Sequence, residues 1–250
     1  MSGHSKWATI KHKKGAADAK RGKLFAKLIR QVEVAARQGG GDPDMNPTLR
    51  TMFQKARDAS VPLDTIERAV KRGTGQLEGV VYEQITYEGY APHGVALLIE
   101  VLTDNRNRTG PELRTTFSRA GGSMAEPGAV AWQFERKGSV LVDRKADEDE
   151  LMMAALDAGA EDIADDGEAW RITTPPSDLQ TVRTALEEGG FLVESSDLVM
   201  VAANLVPLDD SGAAKSVLGL IDALEDNDDV QAVHANFDIS DDVFAALEVG

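Results

Sequence analysis

The side chains in this sequence best suited to chemistry are a set of lysines and arginines near its start, and the chemistry they suit is phosphate binding. Lys6, Lys11, Lys13 and Lys14 lie in a polar stretch, residues 1–14, whose only large apolar side chains are Trp7 and Ile10. Lys20, Lys23, Lys27 and Arg30 then recur every three to four residues, with Arg37 two turns further on the same face and Arg21 beside them. Residues 1–37 carry seven Lys and three Arg against Asp18 and Glu33, a net of +8, whereas the whole chain is −15. A row of fixed cations of this kind neutralises a nucleic-acid backbone and releases its counterions. Lysines on a helix are also common as a solvated face. Here the rest of the chain is so acidic that solubility did not require the cluster.

A second polar cluster spans residues 104–109 and contains Asn105, Arg106, Asn107 and Arg108. As a loop between a buried strand and a helix, it could contact phosphate, ribose or base edges. As a helix start, Asn107 or Thr109 would cap and the arginines would be solvated. No other chemistry assembles. The sequence contains no phosphate-binding glycine loop, dinucleotide fingerprint, zinc-protease helix or nucleophile elbow. It has no cysteine, and its four histidines, His4, His12, His93 and His234, are scattered. Asp226, Asp228 and Asp229 lack the Gly and Glu of a calcium loop and read as a solvated helix end. We expect no catalytic residues, metal site, cofactor or small-molecule substrate.

The elements that must carry these residues follow from periodicity. Leu24, Phe25, Leu28, Ile29, Val32 and Ala36 form an apolar stripe, roughly 160° around the helix from the basic one. Gly39-Gly40-Gly41 ends that helix. Asn46-Pro47 starts a second, with Leu49, Met52, Phe53 and Ala56 inside. Asp64 is expected to cap a third, with Leu63, Ile66, Ala69 and Val70 inside, ending at Gly73.

Near residue 80 the period changes from 3.6 to 2. Strands are expected at 81–90, 94–102 and 129–135, with a helix at 111–120 and a loop at 123–128. Residues 139–203 then read βαββαβ, the split pattern of a ferredoxin-like unit. In it a helix at 148–158 would bury Leu151, Met152, Ala155 and Leu156, and Ser177 would cap the next helix. A last helix at 216–224 and strand at 230–237 most simply complete the 81–136 piece. The fold class is therefore α+β with three domains. Residues 1–79 form a basic helical domain, 80–137 plus 207–250 an α+β domain, and 138–206 an inserted acidic ferredoxin-like domain.

Charge is segregated along this plan. Residues 1–80 are net +8 and residues 81–250 net −23. Screening over about 8–10 Å lets a basic end act locally on a phosphate backbone. Apolar runs such as 95–99 are too short to span a bilayer, and no apolar segment follows the basic start, so no membrane partner is expected and a cytoplasmic location is.

Three long stretches carry a resemblance. GHSKWATIKHKKGAADAKRGKLFAKLIRQVEVAARQGGGDPDMNPTLR, VYEQITYEGYAPHGVALLIEVLTDNRNRT and GGSMAEPGAVAWQFERKG closely resemble the YebC/PmpR family. The resemblance implies the same three-domain architecture. It also implies a DNA-binding transcriptional regulator or, by analogy with relatives that activate mitochondrial translation, a factor associated with ribosomal RNA and the ribosome. Carried over, the nucleic-acid surface would include Lys6, Lys11, Lys13, Lys14, Lys20, Arg21 and Lys27, with Arg106 and Arg108. The chain departs from the family pattern at Leu63, where a Lys is usual, and at Gln133, where Met is usual, a change expected to matter little.

Overall fold

The computed structural model describes residues 18–240 together with 242, 243 and 246. It is a mixed α+β protein. Chain contacts divide it into two compact units, one built from 137–198 with the residues up to 82, the other from 83–136 with 199 onward.

The first unit starts with three helices. Helix α1 (Asp18–Gly39) buries Leu28, Val32, Ala35 and Ala36 against α2 (Pro47–Asp58) and α3 (Leu63–Gly73). Leu24 continues the same stripe but is exposed. Gly40, at φ 90°, turns the chain out of α1 while its amide still donates to Ala36 O at 3.0 Å, as a left-handed C-terminal residue does. Asn46 caps α2 by accepting from Leu49 N at 3.0 Å, and its Nδ2 donates to Ala35 O at 2.9 Å and Gly40 O at 2.8 Å. One side chain thus ends α1 and starts α2. At α3 the residue before the helix is Pro62, with no side-chain cap. Asp64 sits inside the first turn, and Leu63 faces solvent rather than the core. Gly73 is required by close approach, since a Cβ there would lie 2.7 Å from the Ala36 methyl.

The same unit contains a four-stranded sheet with two helices. Its elements are β4 (Phe134–Asp143), α5 (Glu148–Asp157), β5 (Asp162–Asp165), β6 (Ala169–Thr174), α6 (Leu179–Glu188) and β7 (Val193–Ala202), counting β1–β3 and α4 in the other unit; the sheet order is β5-β6-β4-β7. This is the ferredoxin-like arrangement, with β4–β6 and β5–β6 antiparallel. The short α5 buries only the i, i+4 pair Leu151 and Ala155, so Met152 and Leu156 face solvent, contrary to the helical-period expectation. Asp178, not Ser177, precedes α6.

Two segments of this unit, far apart in sequence, meet at Arg183 on α6. It is buried and donates to Asp58 Oδ2, at the end of α2, at 2.8 Å, to Ser196 Oγ at 2.8 Å and to Glu187 Oε1 at 2.9 Å. Lys55 pairs with Asp197 at 2.8 Å beside it.

The second unit is a sheet ordered β3-β1-β2-β9, formed by β1 (Glu83–Tyr90), β2 (Ala96–Thr103), β3 (Ser123–Ala125) and β9 (Val230–Ala235). Leu97, Ile99 and Val101 alternate on β2 toward α4 (Arg106–Arg119) and α7 (Ser211–Glu225), where Leu113, Phe117, Val217 and Leu220 complete the core. The late helix and strand do join the earlier strands, because β9 pairs antiparallel with β2. β8 (Val206–Leu208) and β10 (Phe237–Ile239) form a separate parallel pair. Two local expectations change here. Residues 123–125 are a short strand rather than loop, and 131–133 are a 3-10 turn, so the strand expected from 129 begins at Phe134.

Candidate nucleic-acid interface

The outer face of α1 is the first candidate. Lys23 is exposed and Lys27 half-buried, on the side of the helix opposite Leu28, Val32 and Ala36. Arg30 is half-buried, with its guanidinium 5.4 Å from the centre of the Tyr82 ring, a cation–π contact that fixes one member of the stripe. Lys20 and Arg21 fall in the first turn of α1; their side chains, and all of Lys6, Lys11, Lys13 and Lys14, lie outside the described residues.

The helices offer little for reading bases. Residues 59–62 join α2 to α3 in four residues, the length of a helix-turn-helix connection. The exposed side of α3, however, mixes Asp64 and Glu67 with Arg68 and Lys71, and Arg68 pairs with Asp64 at 3.7 Å. A recognition helix needs donors and acceptors free to meet base edges in an acidic groove. This face is a poor match.

The cluster at 104–109 is the start of a helix rather than a loop. Asn105, not Asn107 or Thr109, is the cap and accepts from Arg108 N at 3.1 Å. Arg108 Nη2 lies 2.6 Å from Asp229 Oδ2 and 3.1 Å from Asp104 Oδ1. Thr103 and Thr109 hydroxyls reach the same Asp229 oxygen at 3.0 and 2.7 Å. Burial alone would push the Asp229 carboxyl up; the hydrogen bonds from Arg108, Thr109 and Thr103 outweigh it and hold the pKa below the ordinary value. The Arg108 guanidinium is held correspondingly above its ordinary value by Asp229. Asp229, expected as part of a solvated helix end, is 5% exposed. The charge of Arg108 is therefore committed to two carboxylates, while Arg106 stays exposed on the same turn.

Further along α4, Arg114 and Arg119 are exposed and flank Pro111, Thr115 and Ser118 on a shallow surface. The sequence signal was available: residues 106–119 hold four arginines and one acid, Glu112, in an otherwise acidic part of the chain.

Glu88 builds a second ordered feature. Its carboxylate accepts backbone N–H groups from Gly128 at 2.6 Å, Val130 at 2.6 Å and Ala131 at 2.8 Å. Burial pushes its pKa up, but the three amides win and the net shift is downward. Gln133, at the unusual position, accepts from Asn236 Nδ2 at 3.1 Å, so it does structural work. Among the described residues, no three His, Asp or Glu are grouped to hold a metal, and no helix is long and apolar enough to cross a membrane.

A helical bundle with a cationic outer face, joined to an α+β sheet unit and a ferredoxin-like piece, defines a class of protein without an assembled catalytic centre among the described residues. Residues 5–76 match the TACO1/YebC protein N-terminal domain and residues 82–237 the TACO1/YebC second and third domain; the chain belongs to the TACO1/YebC family. A "Probable transcriptional regulatory protein" of Rubrobacter xylanophilus is 60% identical over 249 residues, covering 99% of both chains. One of the same description from Halothermothrix orenii is 56% identical over 250 residues, again covering 99% of both. The crystal structure of a conserved hypothetical protein from Aquifex aeolicus has a TM-score of 0.82 at 44% identity, covering 90% of this chain and 93% of that one.

Proposed function

We propose that this protein is a non-enzymatic, nucleic-acid-binding regulator of gene expression, acting in the cytoplasm as a YebC-type transcriptional regulator on duplex DNA. The observation that carries the reading is segregated charge. A +8 segment precedes a −23 remainder, and the described cations of α1 lie opposite its buried stripe. The names of its relatives supply the word regulator. The mixed charge of α3 favours contacts to the phosphate backbone over reading of base edges. That same feature suits ribosomal RNA, which is the second reading.

The test is a titration of the full chain against duplex DNA and a ribosomal RNA fragment over a range of salt. With about six to eight phosphate contacts, log K against log salt should fall with a slope of about −5 to −7 on duplex DNA. A salt-insensitive complex, or none at low salt, overturns the proposal. Tighter binding to the RNA fragment at equal salt moves the action to the ribosome.

A further inference from the structure

We propose that Trp132, with Tyr90 beside it, is a stacking platform for an unpaired nucleobase. This rests on the nucleic-acid reading and adds a contact that does not depend on phosphate.

Trp132 is 71% exposed, although Val130, two residues before it, is fully buried. Its flat aromatic face is therefore open for stacking. The backbone on both sides of it is fixed. Glu88 holds the amides of Gly128, Val130 and Ala131, and Ala203 N donates to Gln133 O at 2.8 Å. The Gln133 side chain is tied to Asn236. A ring on such a support is already ordered, so a ligand does not have to immobilise it.

The indole's polar group is also spent. Trp132 Nε1 donates to Ala129 O at 3.1 Å, and the half-exposed Tyr90 hydroxyl reaches the same carbonyl at 3.4 Å. Two aromatic side chains thus converge on one oxygen. Trp132 then presents its π-surface without a hydrogen-bond donor for a partner. A nucleobase needs nothing more, since stacking is tolerant of sequence and uses the face that every base has. A protein partner would be expected to find a wider apolar patch. The exposed residues nearest in sequence are Glu126, Pro127 and Gly128 on one side and Glu135 and Arg136 on the other. Bases within a duplex are already stacked on one another, so the ligand is an unpaired base, in single-stranded DNA or in an RNA loop.

The experiment compares the full chain with Trp132→Ala, Trp132→Leu and Trp132→Phe. The probes are a single-stranded DNA 12-mer, its RNA counterpart and the matching DNA duplex, each titrated at the same series of salt concentrations. Trp132→Ala and Trp132→Leu should weaken single-strand binding about tenfold and Trp132→Phe should restore most of it, with duplex binding and the salt slope unchanged. Quenching of indole fluorescence by the single strands should largely disappear in Trp132→Phe. A preference for the RNA or the DNA strand identifies the source of the base, and either supports the proposal. Single-strand affinity equal in wild type and Trp132→Ala overturns it, leaves the nucleic-acid reading standing, and assigns Trp132 to a protein partner. If the wild-type protein binds no nucleic acid at low salt, both readings fall.

Discussion

Arg108, on the first turn of α4, donates from Nη2 to Asp229 Oδ2 at 2.6 Å across 121 residues of sequence. The bond joins the helix that follows β2 to the residue that precedes β9, and Asp229 O also accepts from Leu102 N at 2.9 Å. Asp229 therefore locks the β2–β9 edge and the start of α4 together.

Replacing Asp229 should loosen that joint. Asp229→Ala removes the charge-assisted acceptor that Arg108, Thr103 and Thr109 share, a loss of about 2–3 kcal/mol, even though the two hydroxyls keep each other and Asn105 as partners. Asp229→Asn keeps the shape and one acceptor oxygen and should lose about half as much. Urea denaturation midpoints at neutral pH check both. An unchanged midpoint for Asp229→Ala would show that the network contributes nothing.

Acid should weaken the second unit through two carboxylates. Glu88 and Asp229 both have folded-state pKa values below their ordinary 4.5 and 3.8. Between the folded and unfolded values the unfolded chain binds more protons, so stability there rises with pH. Their contribution is complete above about pH 5 and is lost as the pH falls through the folded-state values. Glu88→Gln should remove part of that dependence and cost about 1–3 kcal/mol at pH 7, because an amide cannot accept from all three backbone N–H groups. Denaturation midpoints from pH 7 to pH 3 read both effects.

These two carboxylates also show what was legible in the sequence. The local signals were sound: the α1 stripe, the Asn46-Pro47 start, the βαββαβ order and the return of the last helix and strand to the first sheet all rest on periodicity or on short-range turn chemistry. Asp229 looked like one more acid in a run because its partners, Thr103, Arg108 and Thr109, are some 120 residues away. The partners of Glu88 are backbone amides, which have no side-chain signature at all. Helical period places Met152 and Leu156 inside, but it does not say how wide a stripe the neighbouring elements cover. In the candidate site, composition marked the cations, but only the structure shows Arg108 tied to carboxylates while Arg114 and Arg119 face solvent.

The two cationic surfaces can be separated by their salt dependence. If α1 contacts phosphates, Lys23→Glu with Lys27→Glu should reduce the steepness of the log–log salt slope by about 2 on duplex DNA. Arg114→Glu with Arg119→Glu should do the same if α4 contacts them, whereas Arg108→Gln should leave the slope unchanged and lower stability instead. All five side chains are at least partly exposed, so the reversals are not expected to disturb the core. Equal slopes for wild type and the Lys23/Lys27 variant would remove α1 from the interface.

Arg183 offers a test of how the first unit holds together. Its guanidinium meets Asp58, Ser196 and Glu187 at once, and opposing charges raise its pKa against a burial penalty that lowers it. Only a planar fork reaches three partners in this geometry, so Arg183→Lys should not substitute for it. Arg183→Ala should cost about 2–4 kcal/mol, most of it from removing the charge that pairs with Asp58 and the donor to Ser196; Asp58 keeps Gln54 Nε2 as a donor at 2.8 Å. In a double-mutant cycle with Asp58→Ala, the two losses should fall short of additive by about 1 kcal/mol or more, because both variants break the same bond between α2 and α6. Additive losses would mean that the two residues stabilise their own elements separately and that the bond between them contributes nothing of its own.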